Sequence, residues 1–189
     1  NILYEYCIRA LELTFDDIAN VTVADASSLS DWNTYFDLPT YGTPFTSVVV
    51  DGNVVNLYGG SNIKMKDFLF QTFTHLNIVR DNAQCVTELG QYCFGGIPSG
   101  PDGRLVEGYF PSVTKIDNSC FYHTLDLQTL YLPLCIYIGN SVGDDHVFTF
   151  SGATITLTTS SASMTCNLGA PDGDIQYLQA NNTVTIIQV

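Results

Sequence analysis

Phe110-Pro111-Ser112-Val113-Thr114-Lys115-Ile116-Asp117 is answered 22 residues later by Leu132-Pro133-Leu134-Cys135-Ile136-Tyr137-Ile138-Gly139. Each stretch reads apolar residue, proline, two residues ending in an apolar one, two more, isoleucine, and a turn-former. Tyr109 and Tyr131 precede the two copies at the same offset. A shorter signature, an apolar residue, any two, then Leu or Ile, recurs at 86–89, 113–116, 135–138 and 175–178. In the first two of these a Cys-Phe pair follows four residues on, as Cys93-Phe94 and Cys120-Phe121. Self-similarity at this period marks a chain built of stacked units.

Each unit holds one alternating run rich in β-branched or aromatic residues, at 105–110, 127–132, 154–159 and 183–189, and such runs read as strands. Taking Phe110, Leu132, Leu157 and Ile186 as equivalent gives spacings of 22, 25 and 29 residues, within the range of leucine-rich repeats. The expected fold is mainly β: a leucine-rich-repeat solenoid with one strand per turn, short irregular or helical turns, and an aromatic N-terminal cap. A single strand cannot hide its apolar side alone, whereas stacked copies bury a continuous core of Phe, Leu and Cys.

Upstream, 47–50 and 54–58 read as a hairpin around Asp51-Gly52-Asn53, and 75–80 as a further strand. Residues 25–45 carry Trp32, Tyr35, Phe36 and Tyr41 and read as an irregular cap that closes the exposed end of the core. Residues 1–20 hold a short helix or a strand that links to preceding sequence. The glycine- and proline-dense stretch 95–103 reads as a surface loop. The expected division is therefore a linker and cap at 1–45 and the solenoid at 46–189, its last strand at 183–189. The chain begins at Asn1 without a Met or a signal-like apolar stretch, which reads as a processed piece of something longer.

Six Lys and Arg against nineteen Asp and Glu leave a formal charge of −13. That balance argues against nucleic acid or an anionic membrane surface as partner, since both need a positive patch. The apolar run at 131–138 is far too short to span a bilayer and contains a proline, so no membrane insertion is expected. With 46% hydrophobic and only 13% charged residues, the chain can bury enough apolar surface to order itself.

A reactive site is hard to find. The six cysteines form no CxxC pair and sit at no zinc-ligand spacing to His75, His123 or His146; they read as mostly free, buried thiols. Cys120 and His123 are the nearest Cys/His pair, but the repeat accounts for the cysteine without any activity. No Gly-x-Ser-x-Gly, GxGxxG or Walker-type loop occurs, so the chain is not expected to be an enzyme or to need a cofactor. Asp16-Asp17, Asp144-Asp145 and Asp172-Gly173-Asp174 are oxygen-rich but match no calcium loop; solvated turn aspartates are the plainer reading.

The strand face is the better candidate. Alternation places Leu130 and Leu132 inward and Thr129 and Tyr131 outward. Aligning the turns yields one outward column of Glu107, Thr129, Thr154 and Thr183, and a second of Tyr109, Tyr131, Thr156 and Thr185. The candidate binding residues are Glu107, Tyr109, Thr129, Tyr131, Thr156 and Thr185. Stacked tyrosines beside hydroxyls suit half-wet contacts with sugar rings or a protein partner, although Thr and Tyr are also ordinary strand residues.

The pattern Pro-x-x-x-x-Ile-[Gly/Asp]-x-x-Cys-Phe, seen at 111–121 and in part at 89–94, resembles the bacterial-surface-antigen type of leucine-rich repeat. That resemblance implies a bacterial or protist surface protein that adheres to a host or matrix. Residues 13–20, 31–39, the Tyr58-Gly59-Gly60-Ser61 turn and 177–185 are together similar to repeat-bearing structural proteins of tailed phages. This second resemblance implies a virion component: a fibre, tail or capsid appendage that packs on other virion proteins or binds a host glycan or surface receptor. The reading expected first is thus a non-enzymatic virion module, with a bacterial cell-surface adhesin, extracellular in location, as the alternative. The bare last strand invites lateral pairing into a homo-oligomer.

Overall fold

Alternation decides the first strand. In β1 (Ala10–Phe15), Leu11, Leu13 and Phe15 are buried while Glu12 and Thr14 face outward. The computed structural model describes residues 9–21, 23–96, 103–135 and 137–139, together with the backbone of 154–159, 165–166 and 183–188. The expected hairpin forms as β2 (Ser47–Asp51) and β3 (Val54–Tyr58), antiparallel, with Asp51 opposite Val54 across Gly52-Asn53. Gly52 takes φ 56°, a conformation that costs glycine little. Of the helix or strand expected within residues 1–20 the strand forms, as β1, inside the sheet and antiparallel to β3 on one side and to β5 (Leu76–Asp81) on the other.

From Ile63 onward the chain alternates between two sheets. β4 (Ile63–Met65), β6 (Val86–Leu89), β8 (Lys115–Ile116), β10 (Tyr137–Ile138) and β12 (Thr165–Cys166) pair in parallel as a five-stranded sheet. β5, β7 (Glu107–Tyr109), β9 (Thr129–Leu132), β11 (Thr154–Thr159) and β13 (Thr183–Gln188) pair in parallel and extend β1, β3 and β2 into an eight-stranded sheet. The protein is thus mainly β, with two sheets. The expectation of one strand per repeat is corrected: successive strands from β4 to β13 go alternately to the two sheets. The short apolar signatures at 86–89, 113–116 and 135–138 are where the second strand lies, whereas the copy at 175–178 falls outside the described residues.

Side chains from both sheets meet in one core. Leu13, Val79 and Leu130 from the large sheet, and Ile63, Met65, Leu89, Ile116 and Ile138 from the small one, are buried in it. Gly108 sits between Val79 and Leu130 in the register. A Cβ there would lie 2.7 Å from Phe110 Cε2 and 2.8 Å from Leu130 Cδ2, so the missing side chain is the room the Phe110 ring occupies.

The corners repeat as closely as the strands. The rings of Phe70, Phe94 and Phe121 stack at 5.5 and 5.6 Å, and Cys93 and Cys120 lie fully buried beside them. Phe70 N donates to Cys93 O and Phe94 N to Cys120 O, at 2.8 and 2.9 Å. Two residues before each of these phenylalanines the backbone turns left-handed, at Phe68, Tyr92 and Ser119. The run 65–70 is therefore a further copy of this corner, with Leu69 in the cysteine's place.

The aromatic N-terminal region, expected to be irregular, contains helix α1 (Leu29–Tyr35). Ser28 Oγ accepts from Asp31 N at 3.3 Å, a cap that answers one of the free amides of the first turn. Trp32 is buried and donates its indole N–H to Ala26 O at 2.8 Å. Tyr35 stacks on Phe73 at 5.2 Å and donates its hydroxyl to Leu69 O, and Phe36 meets Phe45 edge-on at 5.2 Å. Asn33 binds the backbone of Phe45 twice, accepting from its N at 2.8 Å and donating to its O at 3.0 Å.

Between β5 and β6 the chain turns around a buried carboxylate. Asp81 accepts from Cys85 N at 3.0 Å, from Val86 N at 2.8 Å and from the Cys85 thiol at 3.3 Å. Burial pushes its carboxyl up from the ordinary range, against the pull of those amides. Asp81→Ala strands the two amides in the interior and should destabilise the fold by about 2–4 kcal/mol. A fall in the urea midpoint at unchanged m-value checks this.

Candidate functional site

The outer face of the eight-stranded sheet carries two rows of side chains, ordered by the register. One runs Val49, Asn56, Glu12, Arg80, Tyr109, Tyr131, and its backbone continues to Thr158 and Ile187. The other runs Asp51, Val54, Thr14, Ile78, Glu107, Thr129 and continues to Thr156 and Thr185. The expected columns therefore slip by two residues between β9 and β11. Thr156 and Thr185 share a row with Glu107 and Thr129, and Thr154 and Thr183 stand one pleat further along. For the same reason Leu157 is level with Leu130 rather than Leu132. Of Thr156 and Thr185 only the backbone is described.

Tyr109 and Tyr131 stack at 4.7 Å with their planes 14° apart. That separation matches the spacing of neighbouring strands, so the ring normals run across the strands. The pair covers its facing surfaces and offers solvent ring edges and hydroxyls. Thr129 is exposed beside them. Glu107 is not a free ligand group. Arg80 donates to it in a fork, Nε to Oε1 at 2.7 Å and Nη2 to Oε2 at 3.2 Å, and also from Nη1 to Glu12 Oε1 at 3.3 Å. The hydrogen bond that Arg80 donates to Glu107 is the main cause of the upward shift of its guanidinium. Sequence reasoning missed Glu12 and Arg80. The available signal was an outward arginine in the strand at 75–80, in a chain with only six basic residues.

Lys64, Lys66, Arg104 and Lys115 are engaged too. On the small sheet Lys64, Glu88 and Lys115 stand in register. Lys64 lies 3.9 Å from Glu88 and 3.6 Å from Asp117, while Lys115 lies 3.2 Å from Asp117 and 5.4 Å from the centre of the Tyr137 ring. Arg104 pairs with Asp126 at 3.0 Å, and Lys66 lies over the Tyr35 ring. At one corner Phe68, 51% exposed, stacks on Tyr92 at 5.5 Å, and Tyr92 meets Tyr122 edge-on. No sequence motif pointed to this ridge.

The reactive candidates resolve into structural roles. Cys120 is fully buried; burial pushes its thiol well up, and the neighbouring Cys93 raises it further. A thiol held protonated is a poor nucleophile. His123 stands in a left-handed turn with its ring against Tyr122. Asp17 caps a short 3-10 turn at Ile18–Asn20 by accepting from Ala19 N at 3.0 Å, and Asp16 pairs with His75 Nδ1 at 2.8 Å. The pairs at 144–145 and 172–174 lie outside the described residues, as does Cys7. Among the described residues no three His, Cys, Asp or Glu side chains converge as metal ligands would.

No protein-family model matches the chain, and neither does any curated protein or solved structure. What the site can do follows from its own groups: hydrogen bonding through hydroxyls, contact through ring edges, and charges already paired.

Two measurements test this geometry. A double-mutant cycle on Tyr109→Ala and Tyr131→Ala should give a coupling of about 0.5–1 kcal/mol in unfolding free energy. Cys85, Cys93, Cys120 and Cys135, buried and outside any disulfide, should react with a thiol reagent only at the rate of unfolding, with Cys85 further protected by burial beside Asp81.

Proposed function

We propose that this chain is a leucine-rich-repeat solenoid that serves as a non-enzymatic structural or adhesion module, in a virion fibre, tail or capsid appendage. The observation that carries the reading is the outer face of the large sheet. It sets the stacked pair Tyr109 and Tyr131 beside the exposed Thr129 on a scaffold of parallel strands, and rigid sheets position binding groups well. A repeat array presents such a face as a continuous strip, which suits an extended partner surface. The partner is another virion or surface protein, or a host glycan or receptor. Ring edges and hydroxyls favour a partner with many hydrogen-bonding groups over one that needs a bare aromatic face. The virion setting rests on the sequence resemblance of residues 13–20, 31–39, 58–61 and 177–185.

Mass spectrometry of purified particles should find peptides such as 105–115 at stoichiometric copy number. Their appearance in a cell-envelope fraction instead would favour the surface-adhesin reading. Tyr131→Ala should weaken binding to the partner by about tenfold, a loss of about 1.4 kcal/mol, while leaving the fold intact; unchanged binding would remove this face from the site.

A further inference from the structure

The two sheets are finished differently at their N-terminal rims. Along the small sheet β4 is covered: Lys64 N donates to Tyr41 O at 2.8 Å, and Thr43 N to Ser61 O at 2.9 Å. The large sheet ends at β2, Ser47-Val48-Val49-Val50-Asp51, and among the described residues no strand pairs with its far side. Phe15 N donates to Asn53 O at 2.9 Å, so Asn53, Val55 and Leu57 turn their backbone groups to β1. Antiparallel alternation then sets Val54, Asn56 and Tyr58 toward β2, and Ser47, Val49 and Asp51 toward β3. The amides and carbonyls of Val48 and Val50 consequently point away from the sheet. Val49 is 50% and Val50 36% exposed. The strand has no proline, no lysine and no inward charge, the devices that usually protect an edge.

A cleft of about 300 Å³ opens beneath this rim, lined by Ile18, Val21, Ala24, Ala26 and Val50. Asp25, its charged lining residue, accepts from Ser27 N at 3.1 Å. A strand added to β2 would bring its core-facing side chains alongside this cleft, and they would have to be apolar.

We propose that β2 pairs antiparallel with β2 of a second copy of this chain, on a two-fold axis through Val49. In that register Val48 faces the second copy's Val50 and exchanges both backbone hydrogen bonds with it, so the outward groups of both residues are satisfied. Val49 faces its own counterpart on the solvent side, and Asp51 faces a serine hydroxyl. No like charges oppose each other. The core-facing side chains brought to the cleft are valines. β2 therefore meets each requirement of the rim it leaves open, and a two-fold interface of this kind is self-complementary. Each copy carries −13, so the copies repel at long range and the seam forms against that field.

Sedimentation velocity over a concentration series tests the pairing. The wild type should dimerise, and raising salt from about 0.05 to about 0.5 M should tighten the dimer several-fold by screening the repulsion. Val49→Lys, which sets two ammonium groups face to face, should weaken it by about tenfold or more, with an unchanged circular dichroism spectrum. Val49→Cys should yield a disulfide-linked dimer in oxidised glutathione, beyond any seen with wild type, while Asp51→Cys should not, since its counterpart is Ser47. If Val49→Lys fails to fold, the cysteine pair still decides the register. A wild type that stays monomeric throughout the series, or binds only foreign peptides at β2, overturns the proposal; so does a dimer indifferent to Val49→Lys, or equal cross-linking at 49 and 51.

Discussion

Parallel pairing of strand upon strand in two sheets is the constraint on which the rest of this molecule depends. Neighbouring strands in a sheet lie about 4.8 Å apart, so a residue in one turn touches the residue at the same rung in the next. Rings therefore meet rings: Tyr109 on Tyr131, Phe70 on Phe94, Phe94 on Phe121. Charges cannot be treated this way, because like charges opposite one another destabilise a sheet. Accordingly the signs alternate where charge occurs, as Lys64, Glu88, Lys115 along the small sheet and Glu12, Arg80 along the large one. Lys115 then meets an aromatic ring instead of a fourth charge.

The same constraint explains the corners. A left-handed residue other than glycine costs roughly 1–2 kcal/mol, and Phe, Tyr and Ser are not residues that adopt it readily. Yet Phe68, Tyr92 and Ser119 adopt it at equivalent places. The conformation belongs to the rung: each corner must follow the one beneath it for Phe70 N to reach Cys93 O and Phe94 N to reach Cys120 O. Gly90 shows the alternative, since a Cβ there would lie 2.7 Å from the backbone N of Asp67 in the turn before.

What was legible in the sequence was whatever repeats at a fixed offset. The 22-residue match between 110–117 and 132–139, the Cys-Phe pairs, the hairpin around Gly52-Asn53 and the mainly β class all rest on local patterns. The second sheet was not legible as strands because Lys115–Ile116 and Tyr137–Ile138 are too short for alternation to be tested. The register between β9 and β11 slipped because Thr154-Ile155-Thr156-Leu157-Thr158 matches itself when moved by two residues, which keeps every face correct and every neighbour wrong. The corner at 65–70 was hidden by Leu69, which fills the place cysteine takes later. The Arg80 clamp joins residues 27 and 68 positions away, and only the assembled sheet brings them together.

The N-terminal side of the two sheets meets a problem that parallel strands cannot solve alone, since β4 and β5 there need cover of another kind. Here the solution is antiparallel and aromatic. β1 pairs with β5 and carries β3 and β2 beyond it, while Tyr35 at the end of α1 and Phe36 just after it pack on Phe73, Phe45 and Phe70, with Trp32 against both. Two bonds from one side chain, Asn33 to the backbone of Phe45, hold the incoming segment where a further strand would otherwise be needed. Covering the end with rings closes the core but does not close both rims. The loop at 41–43 reaches the small sheet, and the large sheet is left to finish on a valine strand. The basic side chains Lys64, Lys66, Arg80, Arg104 and Lys115 are engaged with carboxylates or rings, and none of those contacts lies on β2. What that rim offers is the backbone's own hydrogen bonding and apolar contact, and both select for an extended strand whose core-facing side chains are apolar.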